Sequence, residues 1–152
     1  MQRSLVLLKP DCVQRGLMGK VISRFEEKGL AIIAMKMIHV TPELSAKHYA
    51  EHAEKPFYPS LESFITSAPV LAMAIEGLEA ITVIRDMLGA TNGLKAAPGT
   101  IRGDFSSSRQ MNLVHASDSE ESAKRELDLY FSEGEFCSFE NAMVAFMRAA
   151  DE

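Results

Sequence analysis

The stretch Asn112-Leu113-Val114-His115-Ala116-Ser117-Asp118 decides how this chain is read. It joins a short apolar run, Leu113–Ala116, to residues that start helices: Ser117, Asp118 and Ser119, with Glu120 and Glu121 following in the first turn. A strand followed at once by a helix delivers the His115 imidazole near a helix N-terminus. There, free N–H groups and the helix dipole favour anions such as phosphate. An imidazole is largely neutral at pH 7 and is then a competent nucleophile toward phosphorus. The plain alternative is a partly buried histidine that ends a strand.

On the N-terminal side of this stretch, strand and helix patterns alternate. Leu5–Leu8 is a continuous apolar run ended by Pro10, with Lys9 as the first polar residue beyond it. Leu17, Met18, Val21, Ile22 and Phe25 recur at helical spacing until Gly29. Leu30–Val40 reads as a strand interrupted by Lys36 and His39, although its Ala and Met residues would also suit a helix. Thr41-Pro42-Glu43 starts a helix expected to reach about Ala53, and Ser60–Thr66 a second one. Val70–Glu76 is the third strand and Leu78–Leu88 the next helix. Gly89–Met111 has little regular pattern, and a loop of that length in a compact domain is usually functional or disordered.

On the C-terminal side, Ser119–Phe131 forms a helix that closes the core through Ala123, Leu127 and Tyr130. Phe136, Phe139, Met143, Phe146 and Met147 then recur at helical spacing, which predicts a helix within 135–152 with an apolar face to bury. The whole order fits an α+β, βαββαβ arrangement, a sheet with helices packed on one face. There is no internal repeat, low-complexity segment or domain boundary, so residues 1–152 read as a single domain.

The 152 residues are 47% apolar and 24% charged, an ordinary globular composition. A net charge of -5 offers no general basic surface for nucleic acid. Cys12 and Cys137 lack metal-ligand spacing and favour a reducing compartment over a disulfide scaffold. The start, Met1-Gln2-Arg3-Ser4, leads directly into a strand, and no apolar run is long enough to span a membrane. A cytoplasmic protein is expected.

The Asn112–Asp118 signature resembles that of nucleoside diphosphate kinases, which move a terminal phosphoryl group between nucleotides. The similarity runs from Leu5 to about Phe131. It includes Lys9-Pro10-Asp11, His48-Tyr49, Lys55-Pro56-Phe57 and the block from Ala97 to Phe105, in that order. The resemblance implies a ferredoxin-like sandwich with a four-stranded antiparallel sheet. It also implies a ping-pong reaction: ATP phosphorylates His115, ADP leaves, and another nucleoside diphosphate collects the phosphoryl group. The Walker-type glycine loop and the protein-kinase signatures are absent, which favours a covalent relay over direct transfer.

By the same resemblance Lys9, Arg85 and Arg102 converge on the phosphates, Thr91 adds a hydroxyl, and Asn112 and Lys9 reach the sugar hydroxyls. Taken singly, these residues also read as a strand-end charge, a solvated helix face, a loop cation and a turn residue. Phe57 stacks on the base with Leu61 beside it, a mode that accepts any base because each has a π surface. Glu126 holds the His115 ring in its tautomer, with Ser117 in the same network or capping the helix. Tyr49 lies near Lys9 and His115, or simply on a half-buried helix face. Mg²⁺ arrives on the nucleotide phosphates, with water-mediated help from Asp118. No protein metal cage, membrane or nucleic-acid partner is expected. A homo-oligomer is, with a hexamer favoured and a tetramer the alternative, and with the C-terminal segment at a subunit contact.

Pro98-Gly99-Thr100 reads as a tight turn, Gly103 as a place of close approach to a ligand, and Asp104 as the partner of a nearby cation. Cys12, Gly93, Arg109 and Ala116 depart from the family pattern. Arg109 replaces a residue that is commonly aliphatic beside the base, so it either lies flat on the base or points into solvent. Two competing readings are a nucleotide-binding regulatory module without turnover and an RNA-binding module. The intact His115–Glu126–Lys9–Arg102 set speaks against the first. The acidic charge and the missing aromatic RNP pattern weaken the second.

Overall fold

Strand β1 (Gln2–Leu8) is buried from Ser4 onward on both sides, and the fold is arranged around it. Its side chains alternate between two cores in a computed structural model that describes Met1–Glu152. Leu5 and Leu7 pack with Ile33, Ala72, Ala74, Leu127, Tyr130 and Phe131. Val6 and Leu8 pack with Val21, Phe25, Met73, Ile75 and Ile84.

Strands β2 (Ala31–Ile38), β3 (Val70–Gly77) and β4 (Val114–Ala116) complete a four-stranded sheet in the order β2-β3-β1-β4. Every neighbouring pair is antiparallel, and a bulge lies between Ile32 and Ala34. This is the expected ferredoxin-like sheet.

Helices α1 (Pro10–Gln14), α2 (Met18–Glu27), α3 (Pro42–His48), α4 (Tyr58–Ile65), α5 (Ala80–Leu88), α6 (Ile101–Phe105) and α7 (Glu120–Tyr130) surround the sheet. They cover both of its faces, not one: α2 and α5 supply one core, α7 the other. The unbroken apolar runs of β1 and β3 account for this, since a strand with one solvated face would alternate. Thr41 caps α3 by accepting the Leu44 N–H at 3.1 Å, and Ser119 caps α7 by accepting the Ser122 N–H at 3.1 Å.

Helix α3 ends at His48, short of the expected Ala53, and residues 49–54 form turns. The chain must fold back before Pro56 so that the Tyr58 hydroxyl meets the buried Ser45 hydroxyl at 3.0 Å. The long irregular segment holds α6, whose N-cap Thr100 accepts the Gly103 N–H at 3.0 Å.

The predicted C-terminal helix is absent; the segment has only 3-10 turns at Glu133–Glu135 and Val144–Phe146. Local bonds displace the helix. The Cys137 N–H donates to the Ile33 carbonyl at 2.7 Å, and the Asn141 side chain accepts the Met143 N–H at 2.8 Å. Phe136 packs on Phe131 with ring centroids 5.7 Å apart, whereas Phe146 is 85% exposed. No helix is long and apolar enough to cross a membrane.

Candidate active site

Strand β4 holds His115 opposite Leu7 of β1, and the backbone just before it is bent into an unusual conformation. Leu113, fully buried, has φ +73°, a region that a branched apolar residue enters at a cost of roughly 1–3 kcal/mol. Two bonds hold it there. Asp11 Oδ2 accepts the Leu113 N–H at 3.0 Å, and the Lys9 N–H donates to the Leu113 carbonyl at 2.8 Å. Sequence reasoning quoted Lys9-Pro10-Asp11 as a block but missed this task for Asp11.

The His115 ring is fixed by α7 and α3. Its Nε2 lies 2.5 Å from Glu126 Oε1, and Glu126 is only 3% exposed. A carboxylate only accepts, so Nε2 carries the hydrogen and Nδ1 keeps its lone pair. His48 packs edge-on against the same ring, with centroids 4.5 Å apart at 75°. Burial first, then His115, Arg125 and Lys9, push the His48 pKa well below the ordinary histidine range. His48 was missed as a neighbour of His115; its only sequence signal was the pair His48-Tyr49.

Arg102 and Arg85 bond to the carbonyls on either side of His115. Arg102 Nη2 donates to Val114 O at 2.6 Å and Arg85 Nη1 to Ala116 O at 3.2 Å. Buried Arg102 also donates from Nε to Asn112 O and from Nη1 to Gly89 O, each at 3.2 Å. Burial and then Arg85 bring its pKa down to about 10. Lys9 Nζ donates to Gln110 O at 3.1 Å, and burial lowers its pKa to about 8 against the opposing pull of Asp11. None of these cations forms an ion pair; those of the other arginines and lysines are Arg3–Glu76, Arg24–Asp104 and Lys36–Glu135. Cations without an acidic partner, two of them bonded to the carbonyls that flank His115, suit an anion.

A cleft of about 160 Å³ opens beside His115, lined by His48, Tyr49, His52, Asp118, Arg125 and Glu126 among others. The sequence model of the family described as nucleoside diphosphate kinase matches residues 2–136. The chain belongs to the nucleoside diphosphate kinase family. A nucleoside diphosphate kinase of Rhodopirellula baltica is 76% identical over 152 residues, covering 100% of both chains. One from Archaeoglobus fulgidus is 56% identical over 142 residues, 93% of this chain and 94% of its own. Among solved structures, a halophilic nucleoside diphosphate kinase from Halobacterium salinarum in complex with CDP superposes with a TM-score of 0.94. It is 44% identical and the match covers 97% of this chain and 98% of that one.

Other residues expected of a nucleoside diphosphate kinase fall in several places. Asn112 is buried and donates from Nδ2 to the Thr91 carbonyl at 2.8 Å, while its Oδ1 has no partner. Thr91 is exposed. Tyr49 meets the His48 ring at 4.5 Å, and burial followed by Glu126 raises its phenol pKa above the ordinary range. Phe57 is 53% exposed with His52 beside it at 5.6 Å, and Leu61 lies one helical turn along, its N–H donating to Phe57 O at 3.2 Å. Arg109 is exposed and makes no hydrogen bond.

Two expectations are corrected. The Ser117 hydroxyl neither joins His115 and Glu126 nor caps α7; it accepts the Leu5 N–H at 3.1 Å and so pins β4 to β1. Gly103 approaches the chain itself and not a ligand, since a Cβ there would overlap the Ala97 carbonyl oxygen. Asp104 pairs with Arg24 and accepts the Gly99 N–H at 2.8 Å, as a structural acid.

Proposed function

We propose that this nucleoside diphosphate kinase works by a ping-pong relay on His115 Nδ1. Nδ1 attacks the terminal phosphorus of a nucleoside triphosphate, chiefly ATP, and the bond from that phosphorus to the bridging oxygen breaks. Phosphohistidine and a nucleoside diphosphate result. The terminal oxygen of a second diphosphate then attacks the same phosphorus and the P–N bond breaks. Throughout, Nε2 keeps its proton, and Glu126 stabilises the positive charge that develops on the ring.

One observation carries this reading. Glu126 occupies Nε2 at 2.5 Å, so Nδ1 is the nitrogen left to react, on a residue whose two neighbouring carbonyls are held by Arg102 and Arg85. Arg85, Arg102 and Lys9 offset the charge on the transferring group, with Thr91 adding a hydroxyl. Asn112, whose Oδ1 is free, and Lys9 take the sugar hydroxyls. Phe57 and Leu61 hold the base, with Arg109 at its edge. Tyr49 lines the cleft with His115 and Glu126, and Ser117 acts at a distance by holding β4 to β1. The Halobacterium relative's complex with CDP supports a nucleoside diphosphate as acceptor.

Mg²⁺, carried on the phosphates, would supply charge neutralisation. The exposed, unpaired Asp118 carboxylate on the cleft fits it as a hard oxygen group acting through water. We further place the enzyme in the cytoplasm as a homo-oligomer, a hexamer before a tetramer. Residues 1–152 form one domain whose C-terminal segment meets a neighbouring subunit. The exposed Phe139, Met143 and Phe146 support that contact.

Incubation with γ-labelled ATP tests the mechanism. An acid-labile label on His115 that any common nucleoside diphosphate removes is expected. Label on serine, or none, would overturn it.

A further inference from the structure

The back of the His115 ring carries more unsatisfied donor chemistry than the phosphoryl relay uses. His48 is 5% exposed, yet neither of its nitrogens has a hydrogen-bond partner: Nδ1 is buried and unpaired, and Nε2 stands 3.9 Å from Glu126 Oε1. Glu126 Oε2 is likewise buried and unpaired. Buried polar atoms are normally satisfied, so a buried imidazole without a partner on either nitrogen, its Nε2 3.9 Å from the carboxylate oxygen that holds His115, points to a ligand. One ligand atom from each of His48, His115 and Glu126 lies within 4.8 Å of the others.

We propose that these residues form a site for a zinc-class dication, and that its occupancy switches the kinase off. Two imidazole nitrogens and one carboxylate are a borderline-soft donor set that zinc takes and Mg²⁺, which demands oxygen, does not. Ligand atoms around tetrahedral zinc stand about 3.3 Å apart. The 3.9 Å pair therefore closes slightly, and the 2.5 Å His115–Glu126 pair opens by under an ångström. The cleft supplies the fourth, open position, and Glu51 and Asp118 on its rim offset the charge of Arg125. Arg125 itself is turned to the Lys47 carbonyl, to which it donates at 3.1 Å.

The inference rests on the phosphohistidine reading only for its consequence. Binding takes the Nε2 that Glu126 otherwise holds; the hydrogen it carried passes to Nδ1, which then has no lone pair with which to attack phosphorus. Phe57, Arg102 and Asn112 are untouched. Zinc therefore lowers the maximal rate without raising the KM for nucleotide, and a chelator restores it.

Zinc titration of the nucleotide-free enzyme by calorimetry tests the site without any turnover. One zinc per chain is expected, with affinity reduced roughly tenfold or more in His48→Phe and unchanged in His39→Ala, which alters an exposed histidine. In ¹⁵N-histidine spectra of the unmutated protein, zinc should shift the His48 and His115 signals together. That measurement stands even if His48→Phe fails to fold. No stoichiometric binding, shifts confined to His39 or His52, or inhibition relieved by excess Mg²⁺–nucleotide would overturn the proposal. Zinc binding without phosphohistidine formation in the metal-free enzyme would overturn the kinase mechanism and leave the metal site standing.

Discussion

The two ends of the proposed nucleotide site are built differently. Around His115, at the end proposed for the phosphates and sugar, Arg102, Asn112 and Glu126 are buried, and each is aimed by bonds to backbone or to another side chain. At the base end Phe57 is 53% exposed, and Arg109 is exposed and unbonded. The phosphate chain is common to every nucleotide, so its contacts gain from being preorganised. The base varies between substrates, and a half-exposed ring that offers area without hydrogen bonds accepts each of them. Substitutions should therefore cost most at the phosphate end and least at the base end.

The largest effect is expected from His115→Ala, which removes the nucleophile. Turnover should fall by about 10⁴-fold or more, while nucleotide affinity stays within a few fold because the cations and Phe57 remain. Steady-state kinetics with calorimetric nucleotide binding checks both parts. Retained turnover would move the chemistry away from β4.

Lys9 comes next, and its effect has a sign that pH reveals. Burial lowers its pKa from 10.5 to about 8. Below pH 8 the ammonium is charged in both folded and unfolded chains, and the cost of burying it is fully present. Between pH 8 and 10.5 the unfolded chain binds more protons than the folded one, so this residue's contribution makes stability rise with pH. The shift corresponds to a cost on the order of 3 kcal/mol at neutral pH. Lys9→Met should thus be more stable than the parent at pH 7 by about 1–3 kcal/mol, an advantage that shrinks toward pH 10. The parent's KM for nucleotide should rise as pH passes 8, and the variant's should not. Urea unfolding and KM measured across this range decide both.

Asp11→Ala removes the carboxylate that satisfies the Leu113 N–H and leaves a left-handed leucine held only by the Lys9 N–H. A loss of about 1–3 kcal/mol in stability is expected. Turnover should fall with it as β4 loses its fixed approach. Asp11→Asn keeps an accepting oxygen and should recover most of both. If the asparagine variant is as impaired as the alanine one, the charge of Asp11 matters more than its bond.

The contrast between the two ends also explains what the sequence could reveal. The unbroken apolar runs of Leu5–Leu8 and Val70–Ile75 made the strands legible, and Thr41-Pro42 marked the start of α3. The pairing of Glu126 with His115, eleven residues apart across a strand–helix junction, followed from family resemblance alone. No periodicity encodes the left-handed Leu113, because leucine is the wrong residue for it on local grounds and bonds from Lys9 and Asp11, more than a hundred positions away, sustain it. His48 stayed hidden for a similar reason, as its role depends on a ring contact between α3 and β4. At the C-terminus, apolar spacing suggested a helix, but bonds to Ile33 and within the Asn141 turn compete locally and win.

Arg109 should give the smallest effect, and it probes the base end most directly. Its guanidinium makes no hydrogen bond and forms no ion pair, so nothing in the protein fixes it against a base or away from one. Stacking a planar cation on a base gains about 0.5–2 kcal/mol depending on how far water is excluded. For an exposed side chain the lower end applies, which is about a twofold change in KM. Arg109→Ala should therefore raise KM for every nucleotide by about twofold, slightly more for purines with their larger π face. The maximal rate of His115 phosphorylation should not change, since no bond links Arg109 to β4. Arg109→Leu separates the two parts of the side chain: it keeps packing area and loses the charge. Parent-like KM values in the leucine variant would show that area alone holds the base. Parent-like values in the alanine variant as well would place Arg109 in solvent and leave Phe57 and Leu61 to carry base binding by themselves.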